Sequence, residues 1–133
     1  MANGTIAFDT LSTSGQITGT AKSVDTDYVV NGSAKAWINF NGSGTIAIRD
    51  SINITSITDN GTGDYDITIA NDMANANYAT LFGGGEGGDA DSGARIPNLA
   101  IQTASVMDVF CRNLDNSAAD GAVQNLGFFG DLA

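Results

Sequence analysis

Carboxylates are the only side chains in this sequence numerous enough to build reaction chemistry. There are fifteen acidic residues, no histidine and a single cysteine, Cys111. Without histidine the usual general base, the serine triad and the common zinc and haem ligand sets disappear together. One cysteine supports neither an intrachain disulfide nor a cysteine-rich zinc site, and Cys111 reads as a small buried apolar residue. Asp64 and Asp66 lie two apart, so on a strand they share a face and could form a paired-carboxylate site of the glycosidase kind. Solvated turn and strand aspartates are the simpler reading, and no catalytic residue is assigned. Asp59, Asn60 and Asp64 around one turn, and Asp89 with Asp91, offer hard oxygens of the sort calcium takes. Neither group completes a calcium motif, so no metal and no cofactor are expected. The glycine run from Gly83 is not a phosphate loop, because no Gly-Lys-Ser/Thr ending follows. What remains is adhesion: Trp37, Tyr65, Tyr78, Phe128 and Phe129 are candidate contact residues, with core packing as the alternative for each.

These residues must be carried by short strands. Asn, Thr, Ser and Gly dominate the polar positions, and such residues favour turns and strands over helix interiors. Ala36, Ile38 and Phe40 alternate with Lys35, Trp37 and Asn39, the period of two of a half-buried strand. Asn41-Gly-Ser-Gly44 then reads as a hairpin loop before Ile46 and Ile48. Ile52, Ile54 and Ile57 are assigned to the next strand, whose uneven spacing suggests a strand end or bulge. Asp59-Asn-Gly-Thr-Gly-Asp64 is the strongest turn, with Asn-Gly supplying left-handed backbone. Tyr65, Ile67 and Ile69 should share a face after it, and residues 76–82 should form a strand with Tyr78 and Phe82 aligned. Residues 83–94 read as a glycine-rich exposed loop, because glycine has no side chain to pack and the highest backbone entropy. Residues 99–105, 107–113 and 123–129 are the remaining strands. Roughly seven to ten short strands imply an all-β fold, a small antiparallel β-sandwich or open barrel.

The chain of 133 residues fits one such domain at 33–133, preceded at 1–32 by an arm or attachment segment, or by ordinary first strands of the same sheet, with isolated apolar residues such as Ile6, Phe8 and Leu11. A net charge of −10 argues against binding nucleic acid or an anionic membrane surface. No run approaches the roughly 20 apolar residues of a membrane span. The first residues, Met-Ala-Asn-Gly-Thr, have no basic segment or apolar run of a secretory signal, so synthesis in a cytoplasm is expected.

The stretch from Ser33 to Tyr65, with Ala-Trp-Ile-Asn-Phe-Asn-Gly-Ser-Gly-Thr-Ile at 36–46 and Asp-Asn-Gly-Thr-Gly-Asp-Tyr at 59–65, has a downstream Met73 and Tyr78. It resembles a β module found repeatedly in virion proteins of marine tailed bacteriophages, often at the end of tail-fibre-like proteins. The likeness covers Ser33 to Tyr78 and, more loosely, the ending Gly-Phe-Phe-Gly130. It implies a non-enzymatic structural protein at the virion surface, with other capsid or tail proteins as partners. It also implies a symmetric homo-oligomer, a trimer being favoured. The chain departs from that pattern in the Gly83–Gly93 insertion and in having only a short arm before the module. The short arm shifts the expectation from a receptor-binding fibre tip, which would recognise a host glycan or surface protein, toward a capsid decoration or cement protein.

Overall fold

The structure is a computed structural model and describes residues 15–18, 23–85 and 96–133. The chain divides into two units, Met1–Ser33 and Ala34–Ala133. Among the described residues no helix is long and apolar enough to cross a membrane.

In the first unit, β1 (Gln16–Thr18) pairs antiparallel with β2 (Ser23–Asp25) and is followed by a short helix, α1 (Thr26–Gly32). Asp25 caps α1 by accepting a hydrogen bond from the Asp27 amide, which satisfies one of the free donors of the first turn. At the other end the Ser33 hydroxyl donates to the Val29 carbonyl. The helix buries none of its residues, and Val29 and Val30 are exposed on it. Ile6, Phe8 and Leu11 lie outside the described residues.

The second unit is an antiparallel β-sandwich. Its strands are β3 (Ala36–Asn41), β4 (Ala47–Ile52), β5 (Ile54–Gly61), β6 (Asp64–Ile69), β7 (Ala79–Gly85), β8 (Ile96–Gln102), β9 (Val106–Arg112) and β10 (Val123–Phe129). One sheet has the order β4-β3-β10-β7 and the other β5-β6-β9-β8. The two central strands of each sheet carry the strictest alternation, and their inward residues make the core. These are Ala36, Ile38 and Phe40; Leu126 and Phe128; Tyr65, Ile67 and Ile69; Met107, Val109 and Cys111. Two edge-to-face aromatic pairs, Phe40 with Tyr65 and Tyr78 with Phe128, lock this core. Each such pair adds about 0.5–1.5 kcal/mol beyond the area it buries.

The expected hairpins form, with adjustments. The β3–β4 pair contains a register shift beside Phe40, where Arg49 is the extra residue and spans to the carbonyls of Phe40 and Ala122. Ile52 ends β4 instead of joining Ile54 and Ile57. Between them Asn53 takes a left-handed conformation (φ 57°), which asparagine tolerates, and its side chain holds the Asn71 backbone as the chain crosses between sheets. In the β5–β6 turn the positive φ angles fall on Gly61 and Gly63, while Asn60 stays in the strand.

The glycine-rich segment is not wholly a loop. Gly83, Gly84 and Gly85 continue β7 and pair with Asn125, Gln124 and Val123. The reading from composition overlooked what lies opposite. Gln124 is a buried amide, and a Cβ on Gly84 would stand 2.6 Å from its Oε1, so the missing side chain makes room for it. Residues 86–95, the rest of the expected loop, lie outside the described residues.

Candidate interaction surface

The candidate aromatics are sorted by strand parity. Tyr65 and Phe128 point inward and are fully buried, and Tyr78 is nearly so. Their reading as contact residues therefore gives way to core packing. The Tyr65 hydroxyl donates 2.5 Å to the Gly42 carbonyl and lies 3.1 Å from Asp120 Oδ1, which also accepts from the Gly63 amide. Burial, reinforced by the hydrogen bond and charge of Asp120, raises the Tyr65 pKa well above the ordinary range. The Tyr78 hydroxyl donates to the Thr103 carbonyl, and burial pushes its pKa up to about 12. Asp120 is 55 residues from Tyr65, and no local spacing signals the pairing.

Trp37 and Phe129 have the opposite parity and lie half-buried on the outer face of the β4-β3-β10-β7 sheet. There the register aligns Ile52, Trp37, Gly127 and Leu81 in one row across all four strands. Ile52 and Leu81 are 54% and 64% exposed, so the row is apolar ground open to solvent. The neighbouring row is Asp50, Asn39, Asn125 and Gly83, with the Asn39 amide donating to Asn125 Oδ1. Asp50 is the one charged residue in the two rows. None of Ile52, Leu81, Asn39 and Asn125 is a contact candidate from the sequence. The hairpin register at Trp37 could have found Ile52, whereas Leu81 and Asn125 meet Trp37 only through β10.

The outer face of the second sheet has a different character. Asp64 and Asp66 do share it, and Asp66 lies directly opposite Asp108 on β9. Desolvation first, then the charges of Asp64 and Asp66, raise the Asp108 pKa. One of its carboxylate oxygens is buried without a hydrogen-bond partner. Beside this acidic patch Arg112 stacks over the Phe110 ring at 5.2 Å. Asp59 is used locally, its Oδ1 accepting from the Gly61 amide in an Asx-type turn. Among the described residues no group of three or more potential metal-ligating side chains comes together, and Asp89 and Asp91 lie outside those residues.

Comparison of the chain with protein-family models, characterised proteins and solved structures finds no match in any of the three. The fold class, an antiparallel β-sandwich, therefore rests on the structure itself.

Proposed function

We propose that this chain is a non-enzymatic surface module of a tailed-bacteriophage particle that decorates or stabilises the capsid as a symmetric homo-oligomer. The observation that carries the reading is the apolar row Ile52-Trp37-Gly127-Leu81, exposed at Ile52 and Leu81 on a sheet whose other face is the core. Exposed apolar ground of this kind is what a docking surface provides. The resemblance of Ser33 to Tyr78 to a marine phage virion module supplies the setting. Cryo-electron microscopy of purified virions is the test. Many copies on the capsid lattice, lost when Ile52→Lys and Leu81→Lys are combined, is the expected result. Finding the protein only at the tail tip would overturn it.

A second reading, recognition of a host surface glycan, is favoured by Trp37 standing beside the Asn39–Asn125 amide pair and Asp50. An aromatic ring flanked by amides and a carboxylate can stack on a sugar and bond its hydroxyls. Under that reading the soluble protein coats susceptible cells and blocks infection. A capsid decoration protein does neither.

A further inference from the structure

A sandwich of two open sheets has four edge strands, and each edge presents backbone donors and acceptors that can pair with another chain. Here the edges are β4, β7, β5 and β8. Three of them are blunted. The β4 edge is bulged and carries Arg49 and Asp50; β5 has two register shifts and Asp59; β8 contains Pro97 and a shift after Leu99. The fourth carries none of these devices among the described residues: all seven residues of β7 pair with β10 without a shift, and none is charged or proline. Leu81 and Phe82 on it are 64% and 36% exposed. In a chain carrying a net charge of −10, such a neutral strip is where a second copy meets the least repulsion.

The order of residues in β7 identifies the occupant. It reads Ala79-Thr-Leu-Phe-Gly-Gly-Gly85, with its bulk in one half and bare backbone in the other. Turn a second copy about a two-fold axis through Phe82 and lay it antiparallel. Leu81 then faces Gly83 of the second copy, Thr80 faces Gly84, and Ala79 faces Gly85. The two Phe82 residues meet at the axis. Every side chain but Phe82 is opposed by a glycine, which is the isologous self-complementarity that a closed two-fold interface requires. The outer apolar row Ile52-Trp37-Gly127-Leu81 runs on into Gly83, Asn125, Asn39 and Asp50 of the second copy. We propose that the outer edge of β7 is a homotypic pairing site, through which two copies join their four-stranded sheets into one of eight strands. This pairing is two-fold, goes beyond the virion reading and does not depend on it.

Sedimentation equilibrium of the purified full chain tests it, with circular dichroism and thermal melts to verify folding. The wild type should form a dimer, and Leu81→Lys should raise its dissociation constant at least about tenfold, the effect of losing ~1.4 kcal/mol. Gly83→Leu sets leucine against Leu81 of the second copy and should weaken the dimer similarly. The exchange Leu81→Gly with Gly83→Leu restores large-against-small pairing and should recover dimerisation, a non-additivity that general destabilisation does not produce. Leu81 is largely exposed, and a Cβ on Gly83 meets only Asn125 Cβ at 4.0 Å, so these positions tolerate change within one copy. A monomer at every concentration overturns the proposal. So does a trimer, an oligomer indifferent to Leu81→Lys, or a dimer that the exchange fails to restore.

Discussion

Tyr65 joins parts of the chain that no local pattern connects. Its ring packs edge-on against Phe40, and its hydroxyl ties the β3–β4 loop at Gly42 to Asp120 in the connection before β10. Tyr65→Phe keeps the ring but strips both bonds, and should cost about 1–3 kcal/mol in chemical denaturation, the usual penalty for stranding a buried polar partner. Tyr65 and Tyr78 should also make the fold sensitive to alkali. The folded chain holds the Tyr78 proton to about 12 against an ordinary 10.0, and Tyr65 holds its own more firmly still. Above pH 10 the unfolded chain binds fewer protons than the folded one, so stability is complete below that pH and falls as pH rises toward 12 and beyond. Spectroscopic titration should find tyrosinate from these two residues appearing together with loss of the β circular-dichroism signal. Asp108 works with the same sign in acid. Its raised pKa means that ionising it in the fold is unfavourable, so its contribution to stability declines as pH climbs through and above the ordinary 3.8. Asp108→Asn should therefore raise the melting stability at neutral pH by roughly 0.5–1 kcal/mol, the scale of a like-charge pair opposed across strands. The gain should shrink at acid pH, where Asp108 is already neutral. An Asp108→Asn protein no more stable than wild type at neutral pH would refute this account.

At the scale of the element, β7 shows how position decides what a glycine does. Gly84 is itself exposed but pairs with the buried Gln124, and an added methyl would stand 2.6 Å from the Gln124 Oε1. Gly84→Ala should therefore destabilise by about 1–3 kcal/mol through overpacking. Gly83, one residue earlier, faces outward with only ordinary contact to Asn125. There Gly83→Ala should be neutral or stabilise by up to about 1 kcal/mol, because alanine has fewer unfolded conformations to lose. Paired thermal melts of the two variants are the check, and equal effects would show that the contact with Gln124 does not matter. The corner at Asn53 is a second local device, in which a residue that tolerates left-handed backbone ends one strand and starts the next in the other sheet.

At the scale of the molecule, the buried apolar core found among the described residues belongs to residues 36–128, inside the second unit. The chain from Ala34 to Ala133 should accordingly fold alone, with a cooperative melt and the β spectrum of the full chain. A fragment that stays unfolded would assign residues 1–33 an indispensable share of folding. If the fragment folds but no longer binds virions lacking the protein, the first unit is the attachment segment of the proposed decoration module. The two sheets also divide the outer surface by charge. The Trp37 face has a single carboxylate in its two aligned rows, while the opposite face concentrates Asp64, Asp66 and Asp108. Under the decoration reading the first face meets a partner and the second faces solvent, where like charges are hydrated and cost least.

Alternation with a period of two is a covalent consequence of extended backbone, so sequence alone determined that Ala36, Ile38 and Phe40, or Tyr65, Ile67 and Ile69, share a face. Asn-Gly-rich turns placed the early hairpins for the same local reason, and together these patterns determined an antiparallel all-β chain. They could not determine which face is inside. That choice depends on what the opposite sheet supplies, and it moved Tyr65, Tyr78 and Phe128 into the core while leaving Trp37 outside. Nor could composition reveal that three glycines pair as strand, because the reason, the bulk of Gln124, sits 40 residues away. The missing histidine and sparse cysteine narrowed the chemistry from sequence. The Ile52-Trp37-Gly127-Leu81 row and the neutral edge of β7 exist only because four distant segments are brought into register by hydrogen bonds, so tertiary structure alone decided which residues share that outer face.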